Sequence, residues 1–280
     1  MVYNKHLVIL GSARSGTSWL TELIARQYRY RLLFEPEHEF NTEEGKLICD
    51  RFVTEANQQP EIKRYLTRVF RNRIDNDWMA QHSNRNWKRH LWPFIPKKFI
   101  IKFVRCNLLA DYFNTTVSIP TIFIIRNPYD VLASQMRVKF PWLYDLSYFK
   151  SQDTLCDLIL NEFGLDIRLL NGLTELETLC VRWCIENSIP FLGVKTAPLD
   201  IYKYEDIVND ITLFKAICET YGMTPVNHIE AIYRVPSSKT HPKSHVISGK
   251  MKADPFLKDD YAVINKYLDI FKIHHYHRVH

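Results

Sequence analysis

His6-Leu7-Val8-Ile9-Leu10-Gly11-Ser12-Ala13-Arg14-Ser15-Gly16-Thr17-Ser18-Trp19 is the stretch that decides how this chain folds. His6–Leu10 is a short aliphatic and β-branched run, predicted as a buried strand, and it stops at Gly11. Beyond Gly16, Leu20, Leu23 and Ile24 recur at helical spacing over Thr17–Gln27. The order is strand, glycine-bounded loop, helix. Two glycines five apart let the backbone bend so that successive N–H groups and the helix N-terminus face an anion. Thr17 and Ser18 add hydroxyl donors at the same place.

The loop departs from the GxxxxGK[ST] pattern of metal-dependent nucleotide hydrolases. Thr17 stands where the lysine belongs, and the cation is Arg14, inside the loop. A second strand, Thr121–Ile125, ends at Arg126 where a magnesium-holding aspartate would be expected. Anion binding is predicted, and ATP hydrolysis is disfavoured. Pro128 suits a first helical turn, so Tyr129–Val138 is predicted helical. Ligands of open parallel sheets collect at the carboxyl ends of strands, which puts Arg126 on the same rim as Arg14. Ser134, on that helix, can return its hydroxyl to the same anion. Two cationic sites on one rim suggest a nucleotide with phosphates at two positions.

Outward from these motifs, Phe99–Val104, Phe191–Val194 and Leu199–Tyr202 read as further strands, and Glu205–Tyr221 as an amphipathic helix closed by Gly222. The alternation predicts an α/β fold, a P-loop NTPase-like parallel sheet with helices on both faces. With 280 residues, 46% hydrophobic and 24% charged, the chain is expected to form one domain over 1–280. Within it, about 61–98 reads as a basic insertion carrying Trp78, Trp87 and Trp92, and Ser237–Lys252 as a polar loop over something anionic.

No run of 18 apolar residues is present, so no membrane span is expected, and the N-terminus reads as a strand rather than a leader. Six cysteines without a CxxC pair predict reduced core thiols and hence a cytoplasmic protein. A net charge of +6 suits anionic ligands without choosing among them. The C-terminal HHYHRVH has irregular spacing and is expected to be a solvated tail; no metal site is expected.

Together these segments resemble the sulfotransferase family that uses 3′-phosphoadenosine 5′-phosphosulfate (PAPS), in its carbohydrate and bacterial branches. Arg14-Ser15-Gly16-Thr17-Ser18-Trp19 is similar to the family's 5′-phosphosulfate loop, with Trp19 packing near the adenine. Arg126 and Ser134 resemble its 3′-phosphate pair. Tyr204-Glu205-Asp206 is similar to the segment whose tyrosine lies near the adenine. Pro236-Ser237-Ser238-Lys239-Thr240 resembles the late loop that closes over the nucleotide. Lys102 matches a lysine of the cytosolic branch, but the histidine two residues on is Val104 here, and that branch's glycine-rich closing motif is absent.

The resemblance implies sulfuryl transfer from PAPS to an acceptor hydroxyl, with the bisphosphate PAP as product and no metal required. Arg14 and Lys102 would stabilise developing charge. Glu35, in Leu33-Phe34-Glu35-Pro36-Glu37-His38, is the first candidate base, with Glu37 and His38 as alternatives. The acceptor stays open, a sugar being one class; nucleic acid is not expected, because aromatic RNA-binding strands are missing. Oligomeric state is left open. Two other readings compete, an atypical P-loop kinase and a non-catalytic protein that binds anions or nucleic acid.

Overall fold

Leu7–Leu10 (β1) is buried at every position, a pattern that suits a strand covered on both faces. It lies at the centre of a five-stranded sheet in the order β2-β3-β1-β4-β5. The others are β2 (Tyr30–Phe34), β3 (Lys98–Lys102), β4 (Thr121–Ile125) and β5 (Asp200–Lys203), and every pairing is parallel. The computed structural model describes residues 6–25, 30–74, 76–80, 98–192, 199–223, 228–238, 240 and 255–279.

Strand periodicity divides the core. Leu7, Ile9, Ile100, Ile122 and Ile124 face one side, where α1 (Thr17–Ala25) brings Leu20, Leu23 and Ile24. Val8, Leu10, Leu33, Ile101 and Phe123 face the other, where α2 (Pro60–Phe70) brings Ile62, Tyr65, Leu66, Val69 and Phe70. A third cluster lies among α3 (Pro128–Val138), α4 (Asp153–Phe163), α5 (Glu175–Leu192) and the last helix, Lys258–Ile270. The expected parallel α/β architecture with helices on both faces is present.

Several expectations change. β2 was not anticipated; Tyr-Arg-Leu-Leu-Phe has neither strict alternation nor β-branched residues, and β2 pairs only with β3. Phe191 closes α5 rather than opening a strand, since a short apolar run fits either period, and Val194 lies outside the described residues. The helix expected over Glu205–Tyr221 is two: α6 (Tyr204–Asn209) and α7 (Ile211–Thr220). Asp210 is extended between them and accepts from the Thr212 N–H, capping the second. The described part of 61–98 is less an insertion than sheet cover, because α2 carries a face of the core; Trp87 and Trp92 lie outside the described residues.

The histidine-rich tail is docked, not merely solvated. Arg278 holds Asp269 at 2.7 Å, the Val279 N–H donates to the Tyr129 hydroxyl, and Tyr276 reaches Glu205. All six cysteines are free and buried, Cys180 and Cys184 together on α5. Among the described residues no helix is long and apolar enough to cross a membrane.

A buried ionic cluster ties α5 to the loop after β3. Asp50 accepts from Arg105 Nε at 2.9 Å and Arg182 Nη2 at 3.1 Å, and Arg182 Nη1 also reaches Glu186 at 2.9 Å. Asp50 is the carboxylate that the two guanidiniums share. Asp50→Asn should therefore lower the unfolding free energy by about 3–5 kcal/mol, read from urea denaturation; a change below about 1 kcal/mol would show the cluster to be dispensable.

Candidate functional site

The carboxyl ends of β1, β3 and β4 open into a cavity of about 430 Å³. That volume falls in the range of small-ligand sites, roughly 300–1,000 Å³. Arg14, Gly16, Thr17, Ser18, Trp19, Glu35, Lys102, Arg126, Tyr204 and Ser237 line it, so most residues singled out in the sequence meet in one place.

The loop after β1 is shaped by close approaches. A Cβ on Gly11 would stand 2.6 Å from the Ile124 carbonyl oxygen, and one on Gly16 (φ +89°) would run into the Tyr204 ring. Arg14 itself has a left-handed backbone, φ 74°. Side chains from the second motif hold the strained turn: Arg126 Nη1 donates to the Arg14 carbonyl at 3.0 Å, and Gln135 Nε2 to the Ala13 carbonyl at 3.0 Å. Arg14 Nε donates to Ser134 Oγ at 3.0 Å. Ser134 thus meets Arg14, on the rim where the sequence expects it to share an anion with Arg126. Burial, and then the charges of Arg126 and Arg137, hold the Arg14 guanidinium below the usual arginine range.

Ser15 Oγ and Arg126 Nε are buried and have no hydrogen-bond partner among the described residues. Buried donors of this kind are what a bound anion satisfies. Beside them, the Arg126 guanidinium lies 4.7 Å over the Tyr204 ring, and Trp19 meets Tyr204 edge-on at 5.8 Å. The Trp19 indole N–H donates to the Tyr233 carbonyl, which fixes the ring. The result is a basic loop beside an aromatic corner, with the donors and the flat surface that a phosphorylated nucleoside needs.

Ser238 turns away from the cavity, its N–H and hydroxyl both on Glu22 of α1 at 2.8 and 2.7 Å. Lys239 lies outside the described residues. Glu205, noted in the sequence only as part of its motif, accepts from the Asn127 N–H at 2.8 Å and so positions the turn that follows Arg126.

Across the cavity stand the candidate bases. Glu35 has a left-handed backbone (φ 43°) and its carboxylate is ion-paired with the buried Lys102 ammonium. Lys102 Nζ also lies 4.3 Å over the Phe34 ring. Glu37 is 1% exposed; its Oε1 accepts from the Val104 N–H at 2.6 Å and the Arg105 N–H at 3.0 Å, while Oε2 has no partner among the described residues. Burial, and next the neighbouring Glu35 charge, push its carboxyl up to about 7. His38 is held below the usual histidine range, chiefly by burial, and its ring contacts the Asn41 amide and the Trp78 ring. Phe40, Arg105, Phe140 and Trp142 also line the cavity. Nothing in the sequence marks them, since they come from three separate loops that only the fold assembles. Among the described residues no group of three or more His, Cys, Asp or Glu side chains is placed to hold a metal ion.

Fold and site together define a P-loop-like parallel α/β protein with a glycine-bounded loop and two arginines on one rim of the sheet. No family model and no curated protein match the chain. Among solved structures it is similar to the sulfotransferase domain of the curacin biosynthetic pathway, at 14% identity over 98% of this chain and 93% of that one, TM-score 0.47. It is also similar to a sulfotransferase from Alicyclobacillus acidocaldarius, at 13% identity over 95% and 94%, TM-score 0.45. A third likeness is a mouse sulfotransferase complexed with PAP, at 12% identity over 97% and 85%, TM-score 0.47.

The raised carboxyl of Glu37 has a consequence for stability. An ordinary glutamate, as in the unfolded chain, titrates near 4.5, whereas the folded group titrates near 7. The folded state therefore holds the extra proton between these values, and the stability it supplies is complete below pH 4.5 and lost as pH rises through 7. Thermal melts should show wild type losing stability relative to Glu37→Gln across that window. A constant difference from pH 4.5 to 8 would mean that Glu37 does not titrate there.

Proposed function

We propose that this protein is a PAPS-dependent sulfotransferase acting on a hydroxyl-bearing acceptor. The observation that carries the reading is the interlock of the two motifs, Arg126 on the Arg14 carbonyl and Arg14 on Ser134, beside the buried Ser15 hydroxyl, which has no partner among the described residues. Two arginines on one rim suit a donor with phosphates at separate positions, and no lysine or acidic strand end is present at the two positions where a magnesium-bound triphosphate would require them.

When bound, PAPS supplies an activated sulfuryl group. Thr17, Ser18 and the backbone of the first loop would hold its 5′ end, and Arg126 with Ser134 its 3′-phosphate. Trp19 and Tyr204 offer the aromatic surface for the base. Lys102 brings a buried ammonium to the same cavity, where it can stabilise negative charge on a departing oxygen. Glu35 is the proposed base: its pairing with Lys102 fixes its position, and it receives the acceptor's proton. A carbohydrate is the acceptor class that the tryptophans of 61–98 suggest, and the free thiols agree with a reducing compartment, proposed to be the cytoplasm.

Calorimetry tests the donor. PAP should bind without added divalent metal, and Arg126→Ala should cut its preference over AMP by about 10- to 150-fold, the worth of a charged hydrogen bond. An unchanged preference, or binding only of magnesium-ATP, would overturn the assignment. Glu35→Gln should lower kcat by about 10²–10⁴ while PAP still binds; a rate within threefold of wild type would remove Glu35 as the base.

A further inference from the structure

The C-terminal segment does not line the cavity, yet it is latched to the turn that carries Arg126. On one flank, the Lys203 ammonium at the end of β5 donates to the His275 carbonyl at 3.1 Å and lies 5.2 Å over the Tyr276 ring. The Tyr276 hydroxyl donates to Glu205 Oε2 at 3.3 Å. On the other flank, the Val279 N–H donates to the Tyr129 hydroxyl at 3.1 Å. That hydroxyl donates to Asn265 Oδ1, and Asn265 Nδ2 returns to the Val279 carbonyl at 2.7 Å. Tyr129 stands in the first turn of α3, and Lys203 pairs in register with Ile125. Residues 275–279 therefore grip the Arg126-Asn127-Pro128 turn at both of its ends.

Between this strap and Arg126 lies Glu205. Its Oε1 accepts from the Asn127 N–H at 2.8 Å, one residue beyond Arg126, and its Oε2 accepts from Tyr276. Each oxygen is thus turned to a neutral donor. The carboxylate that Arg126 does meet is Asp130, at 3.8 Å. Its other contacts are the Arg14 carbonyl at 3.0 Å and the face of Tyr204 at 4.7 Å, and its Nε has no partner among the described residues. A second carboxylate on that guanidinium would compete with an incoming phosphate, because the planar fork of arginine suits both. Burial first, and then the Glu205 charge, hold the Tyr276 phenol above the usual tyrosine range, so it keeps its proton and stays a donor.

Building on the sulfotransferase reading, we infer that Tyr276 is a positioning residue for the donor's 3′-phosphate: by holding Glu205 it keeps that carboxylate off Arg126 and leaves the guanidinium to the phosphate. Tyr276 acts through Glu205 and has no place in the cavity lining. A half-buried carboxylate oxygen that loses its donor turns to a cation, and Arg126 presents its Nε beside the same turn. Tyr276→Phe keeps the ring that lies under Lys203, so it removes the hydroxyl alone.

The test is calorimetry of PAP and AMP against wild type, Tyr276→Phe and the double variant Tyr276→Phe/Glu205→Gln. Tyr276→Phe should cut the preference for PAP over AMP about fivefold or more, the scale of coupling between linked groups, with AMP affinity within about twofold of wild type. In the double variant the preference should return to within about twofold of wild type, since glutamine keeps an oxygen for the Asn127 N–H and has no charge to offer Arg126. A preference unmoved by Tyr276→Phe would overturn the positioning role. So would a loss that glutamine does not restore, which would show that the hydroxyl serves only the fold. Inorganic phosphate separates this inference from the reading beneath it. The phosphate binding that Arg126→Ala abolishes should follow the same pattern across the variants. Wild type that binds phosphate in this way but not PAP would overturn the sulfotransferase reading and leave Tyr276 its role. Binding of neither would overturn both.

Discussion

The parallel pairing of β1 with β4 is the constraint on which the rest depends. Register sets Leu10 beside Phe123, so the loops that follow the two strands leave the sheet side by side. Each carries an arginine. Their contact is not between guanidiniums, which would repel, but between Arg126 and the Arg14 carbonyl, with the Arg14 side chain directed to Ser134 on α3. Burial first, and then the neighbouring charges of Arg126 and Arg137, hold the Arg14 guanidinium below the usual arginine range.

The opposite side of the cavity solves a different problem, that of keeping carboxylates and cations buried together. Glu35 and Lys102 neutralise each other, and Glu37 is satisfied at one oxygen by two backbone N–H groups. Asp50 stands between Arg105 and Arg182, and Asn187 on α5 donates at 2.7 Å to Ser12, at the start of the anion loop. One helix thus supports both ends of the site. The arginines of the ionic cluster also lie over the rings of Trp142, Tyr148 and Phe149.

Much of this was legible in residue order. Gly11 and Gly16 announce a turn that only a residue without a side chain can make, and the structure shows what each would strike. Thr121–Ile125 reads as a strand because β-branched residues dominate it, and Pro128 sets the helix start. Where local pattern is ambiguous, the reading failed. Tyr30–Phe34 is a strand because β3 offers it a partner, and Phe191 is helical because α5 runs on to Leu192. That Ser134 accepts from Arg14 could not be read from residue order, because side-chain direction is set by packing, which spacing along the chain does not contain.

By itself the sequence determined the strand–loop–helix units, their alternation and hence the parallel sheet, and the chemistry of the anion rim, because these follow from short-range patterns of glycine, β-branched and cationic residues. Only the tertiary structure decided what faces that rim. Phe40, Trp78, Arg105, Phe140 and Trp142 come from segments as much as a hundred residues apart and share no motif, and Glu37 differs from any loop glutamate through its burial and then the Glu35 charge beside it. Burial and partnership exist only once the chain has closed on itself, and they set the proton affinity of Glu37.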